Sequence, residues 1–129
     1  MQCLEERLQK AEKSYVLWTN QNPTTGFESQ NIELNSNDYD YYEVLFIEQL
    51  GSFNNLLSTG KIPKGRNTTL ITTTNYANTY PQIFRREVNY INASSLKINN
   101  GYYQSCNSNN RSSNNQIVVP YQIIGYKTN

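Results

Sequence analysis

The sequence predicts a mainly β protein: an antiparallel β-sandwich or jelly roll of about seven or eight strands, preceded by a short N-terminal coiled-coil helix. Three observations carry this. The 129 residues are one domain's worth, enough to bury roughly two-thirds of the unfolded chain's surface. Beyond Ser14 the chain is a series of short β-type runs, spaced about ten residues apart and separated by turn-rich segments. The composition fits, with eleven Tyr and much Ile, Thr and Ser, and with Asn at about one residue in six. Tyr, Ile and Thr suit strands, whereas Asn and Ser fill loops.

The opening segment, MQCLEERLQKAEKSY, has a different period. Met1, Leu4, Leu8, Ala11 and Tyr15 are spaced three, four, three, four, which is the a/d pattern of a coiled coil. With Met1 at a, Leu8 and Tyr15 also fall at a, Leu4 and Ala11 at d, Arg7 at g and Glu12 at e. Two heptads are marginal alone in water, so residues 1–14 read as a helical stem completed by copies of itself along Leu4, Leu8, Ala11 and Tyr15. An ordinary helix packed on its own sheet is the alternative. Residues 15–129 form the β head.

Within the head, YVLWT (15–19) is the first strand and NQNPTTG (20–26) a turn. SQNIELN (29–35) alternates, with Ile32 and Leu34 on one face, and YEVLFIEQ (42–49) is apolar on both faces, as a central strand is. Residues 50–67 hold three Gly and a Pro and read as the least regular part of the first half. TTLITTTNY (68–76) is β-branched, and IFRREVNYI (83–91) puts Phe84, Val88 and Tyr90 on one side. NNG (99–101) reads as a hairpin turn, and residues 106–116 as a polar loop with no core anchor. IVVPYQIIGYK (117–127) closes the chain. Pro120 cannot donate a ladder bond, so that strand lies at an edge or carries a bulge. The expected core is Trp18, Val44, Phe46, Val88, Val119 and Ile123.

Net charge is +1, and no histidine is present. The commonest general base and metal ligand is therefore missing. Glu28, Glu33, Asp38, Asp40, Glu43 and Glu48 lie in a stretch without Lys or Arg, whereas eight basic residues and one acid follow from Lys61. Early and late strands lying side by side would neutralise each other. Cys3 and Cys106 are too few for a disulfide framework or a metal cluster and read as free thiols. No run is long enough to span a membrane.

Asp38, Asp40 and Glu43 crowd one turn and are the best candidates for glycosidase chemistry, without a supporting motif. NSNDYD (35–40) offers oxygen ligands at alternate positions but lacks the glycine and terminal glutamate of a Ca²⁺ loop. The basic groups at 64–66 and 85–86 form no nucleic-acid stripe. No enzyme activity, cofactor or metal is expected, and neither nucleic acid nor membrane is an expected partner. Tyr39, Tyr41 and Tyr42 are the aromatic candidates for stacking on sugar.

LWTNQNPTTGFESQNIEL near the start and IVVPYQIIGYK at the end, with RREV and NNGYY between, resemble the C-terminal domains of bacteriophage minor structural proteins. These are fibre- or spike-type virion proteins from phages of low-GC Gram-positive bacteria. The resemblance implies a homotrimeric virion component on a helical or fibrous stem, assembled in the host cytoplasm beside other virion proteins. It implies attachment to the host surface, where a glycan is the expected target, and no catalytic residues. The rival is a monomeric carbohydrate-binding module. If successive strands alternate in direction, the loops at 20–27 and 50–66 lie far from the stem. Phe53, Asn54, Asn55 and Lys61 are then the receptor contacts, and 92–95 is also distal. Residues 36–41, 76–82 and 106–116 return to the stem side.

Overall fold

The computed structural model describes residues 12–50, 53–74 and 81–128, with the backbone alone at Leu50, Phe53, Asn54 and Thr74. These residues form ten strands and no helix. They are β1 Glu12–Thr19, β2 Gln30–Glu33, β3 Tyr41–Leu50, β4 Phe53–Ser58, β5 Ile62–Pro63, β6 Thr68–Thr74, β7 Gln82–Asn92, β8 Ser95–Ser105, β9 Arg111–Ser113 and β10 Val118–Thr128. Two antiparallel sheets make a β-sandwich. The first runs β1-β10-β3-β4, with β5 continuing the β4 edge; the second runs β2-β8-β7-β6, with β9 sharing the β2 edge.

The first two connections cross between sheets. The last strand, β10, slots between β1 and β3 and completes the first sheet. It is thus a central strand. Pro120 is tolerated because the β10–β3 register slips between Pro120 and Gln122, so the bulge reading of Pro120 holds and the edge reading does not.

Strand alternation builds the core. Val44, Phe46, Val88, Val119 and Ile123 are fully buried as expected, together with Leu17, Phe84, Leu96 and Ile98. Each large aliphatic or aromatic side chain so buried contributes about 1.5–3 kcal/mol. Trp18 differs. The β1–β10 register skips Leu17, which takes the central place while Trp18 stays half-buried, edge-on to Phe27 with ring centroids 6.0 Å apart.

Strand β1 starts at Glu12, so the helix expected through Ser14 does not reach residues 12–14. Tyr15 is correspondingly a strand residue opposite Gly125 rather than a coiled-coil seam position, and its hydroxyl donates to the Asp38 carbonyl. Leu4, Leu8 and Ala11 lie outside the described residues.

The antiparallel pairings fix two poles. Glu12 and the end of β10 mark the near pole, with the 34–40 loop, the 59–67 segment and the 93–94 turn. The far pole holds the 20–29 loop, the junction of β3 with β4, and residues 106–110 and 114–117. The 50–66 segment is therefore not one distal loop, because it contains β4 and β5. That additional strand inverts the parity of every later connection. Residues 92–95 lie at the near pole, 106–116 lie at the far pole, and β7 begins there too.

Buried phenols couple this fold to pH. Burial, then a neighbouring phenol, pushes Tyr39 and Tyr42 up to about 12 from the usual 10.0. A hydrogen bond to Glu43, ahead of burial, does the same for Tyr126. Burial acts oppositely on Arg86, lowering its guanidinium to about 10. A raised folded-state pKa stabilises below the unfolded value and is lost as pH rises through the folded one. Three phenols outweigh one guanidinium, so stability should fall between about pH 10 and pH 12. Urea midpoints measured across that range should decline; a flat or rising profile would contradict the assignment. The two inner phenols differ in one respect. Tyr42 donates to the Arg66 carbonyl, whereas the buried Tyr39 hydroxyl has no partner among the described residues. Tyr42→Phe should therefore cost about 1 kcal/mol and Tyr39→Phe nothing measurable.

Candidate functional site

Arg86 organises the far pole. It stands on β7 between Phe84 and Val88 on the inward face and is completely buried. Among the described residues no carboxylate lies within 4.0 Å of it. Its charge is met by oxygens of neutral groups. Nη1 donates to the carbonyls of Phe27 (2.9 Å) and Asn99 (2.8 Å) and to Asn115 Oδ1 (3.2 Å). Nη2 donates to the carbonyls of Val118 (3.0 Å) and Asn115 (3.3 Å), and Nε to Val118 again (3.2 Å). The planar fork of guanidinium can address several segments at once, which a lysine cannot. Here it ties the 20–29 loop, β8 and the 114–118 segment to β7.

Asn115 is the second brace. Its Oδ1 also accepts from the Gly101 amide (2.8 Å), and its carbonyl accepts from the Phe27 amide (2.9 Å). The 106–116 segment thus has an anchor after all. Residues 99–101, expected to be a turn, run through the middle of β8.

These braces shape a polar groove of about 630 Å³ between the two loops, lined by Gly26, Glu28, Gln30 and residues 113–116. A second hollow of about 460 Å³ adjoins it, sharing Gly26, Asn114 and Gln116 and adding Thr24, Thr25, Gln49 and Ile117. Side-chain amides of Gln30, Asn114, Asn115 and Gln116 stand in the first wall, and Gln49 joins Asn114 and Gln116 in the second. An amide offers donors and an acceptor on one planar group, which suits ligands rich in hydroxyls that both donate and accept.

The expected receptor contacts do not converge. Lys61 sits at the near pole, paired with Glu12 and 4.3 Å above the Tyr126 ring. Asn55 lies on β4, where its Nδ2 donates to Glu48 Oε1 (3.3 Å). Phe53 and Asn54 begin β4 at the far end, and their side chains lie outside the described residues. Tyr39 and Tyr42 are core residues, and only Tyr41 of the three faces solvent.

The carboxylates at 38–43 are all engaged. Asp38 pairs with Lys127 at 2.6 Å, Asp40 Oδ2 accepts from the Thr128 amide at 3.1 Å, and Glu43 accepts from Ser58 and Tyr126. Among the described residues no three His, Cys, Asp or Glu side chains cluster as metal ligands. Of the early acids, Asp38 pairs with a late base, Lys127, whereas Lys61 pairs with Glu12, which precedes that acidic stretch.

The missed residues had a signal. Arg86 shares the parity of Phe84 and Val88, and Gly51-Ser52 is a two-residue hairpin signal between β3 and β4. Comparison of the chain with protein-family profiles, with curated proteins and with solved structures finds no match.

Proposed function

We propose that this chain is the β-sandwich head of a homotrimeric phage fibre or spike, a virion component that attaches to host-surface glycan without catalysis. The observation that carries the reading is the amide-lined groove, held rigid by Arg86 and Asn115 at the pole opposite the start of β1. A stem formed by the preceding residues would enter at the near pole and leave that groove facing outward. The receptor contacts move accordingly, from Lys61 to the loops at 24–30 and 113–116.

The outer face of the first sheet supports contact between copies. Val16, Tyr41 and Leu56 are exposed there, beside half-buried Leu45, Ile47 and Ile124. Glu43, opposite Ile124, and Gln122, opposite Leu45, interrupt these apolar residues, and apolar surface with polar residues around it is what contact between chains uses. Three copies presenting three weak sites gain avidity.

Light scattering should give three times the chain mass; a single-chain mass would favour a monomeric carbohydrate-binding module. Gln30→Ala combined with Gln116→Ala removes two exposed amides from the groove and leaves the Arg86 and Asn115 side chains in place. That pair should lower host-cell adsorption about tenfold, the equivalent of ~1.4 kcal/mol. Adsorption equal to the parent's would remove the groove from consideration.

A further inference from the structure

The outer face of the second sheet carries a separate groove of about 330 Å³, bordered by Arg85, Glu87, Asn99, Tyr102 and Arg111. The register explains the grouping. Arg85 on β7 lies directly opposite Tyr102 on β8, and Arg111 on β9 pairs with Gln104, diagonal to that same tyrosine. The Arg111 guanidinium stacks over the Tyr102 ring at 4.6 Å. Stacking holds the guanidinium plane in position while leaving its donors free at the edge.

Among the described residues, neither Arg85 nor Arg111 has a carboxylate within 4.0 Å, although Glu87 borders the same groove. Both arginines and Glu87 are exposed. Two cations flank one aromatic ring, and an acceptor carboxylate with an amide stands beside them. That set complements a ligand bearing one anionic group and several hydroxyls. The anion would take bidentate bonds from the guanidinium fork, and the hydroxyls would donate to Glu87. A polynucleotide fits poorly, because Glu87 opposes a run of phosphates and two arginines make no stripe.

We propose that this groove binds a saccharide or polyol unit carrying a carboxylate or a phosphate. The site shares no lining residue with the far-pole groove, although it adjoins it through Ser29, between Glu28 and Gln30, and through Asn100, which accepts from Asn115. Isothermal titration with glucuronate and with glycerol phosphate tests it and separates the two sources of negative charge, with glucose, glycerol and a short single-stranded oligonucleotide as comparisons. At least one anionic probe should bind, with affinity falling as salt is raised. Arg111→Gln and Arg85→Gln should each weaken that binding about tenfold with an unchanged unfolding midpoint. Gln30→Ala with Gln116→Ala should leave it unchanged, so the two grooves can fail separately. The proposal is overturned if neither anionic probe binds, if glucose or glycerol binds equally well, if the oligonucleotide binds tighter than either, or if both arginine variants bind like the parent.

Discussion

Replacing Arg86 with methionine is expected to destabilise the domain by about 3–5 kcal/mol, a large share of a domain's total stability. The reasoning turns on which partners can be removed. A buried ion pair exchanged as a whole for apolar side chains is often neutral, because both charged members leave together. Arg86 has no such partner among the described residues. Its acceptors include the backbone carbonyls of Phe27, Asn99, Asn115 and Val118, which no substitution deletes. Methionine fills much of the volume yet leaves those carbonyls without their donor, at about 1–3 kcal/mol for each that stays dry. Lysine restores the charge and three donors, but as a compact group rather than a fork, so Arg86→Lys should recover only part of the loss. Urea unfolding of the two variants against the parent measures both effects. A methionine variant within about 1 kcal/mol of the parent would mean that water replaces the guanidinium and that the 114–118 segment is braced by other contacts.

The same residue shows where the fold was legible and where it was not. Alternation marks β7 and places Val88 inside, because burial on one face of a strand imposes a period of two, whereas β3 is legible as a run apolar on both faces, with Val44 and Phe46 in the core. That parity also applied to Arg86. Its charge argued against burial, and six hydrogen bonds from distant segments, none visible in a local pattern, decide the matter. Strand β4 was hidden differently. FNNLLS has little β-branched character, and the exposed Leu56 breaks a polar-outside pattern. A strand count that lacks β4 moves the later loops between poles, which is why strand parity alone groups Lys61 with residues from the opposite end. The polar groove is a meeting of segments nearly ninety residues apart, Gly26 with Asn114, and no local spacing encodes it.

Gly101→Ala is the second large effect expected, and it separates two reasons for a glycine. Gly60 and Gly65 hold φ values of 74° and 93°, in the left-handed region, with open space where a Cβ would stand. Alanine there incurs the conformational penalty alone, about 1–2 kcal/mol. Gly101 has no such dihedral. Its place in β8 lies against the backbone of the 114–115 segment. A Cβ at 101 would fall 2.6 Å from Phe84 Cζ and closer still to the Asn114 carbonyl oxygen. Neither neighbour can yield cheaply. Phe84 is fully buried, and Asn114 is fastened where it is, its amide donating to the Gly101 carbonyl at 2.8 Å. The Gly101 amide is bound in turn to Asn115 Oδ1, which also accepts from Arg86. The added methyl must therefore part the 114–115 segment from β8 and pull Asn115 from the guanidinium. Overpacking alone costs about 1–3 kcal/mol; with those bonds lost, Gly101→Ala should exceed about 3 kcal/mol and abolish the far-pole groove. Unfolding midpoints of Gly101→Ala and Gly60→Ala, measured side by side, test the distinction. If the alanine at 101 costs no more than the one at 60, the 114–115 segment does not rest on β8, and the brace assigned to Asn115 fails with it.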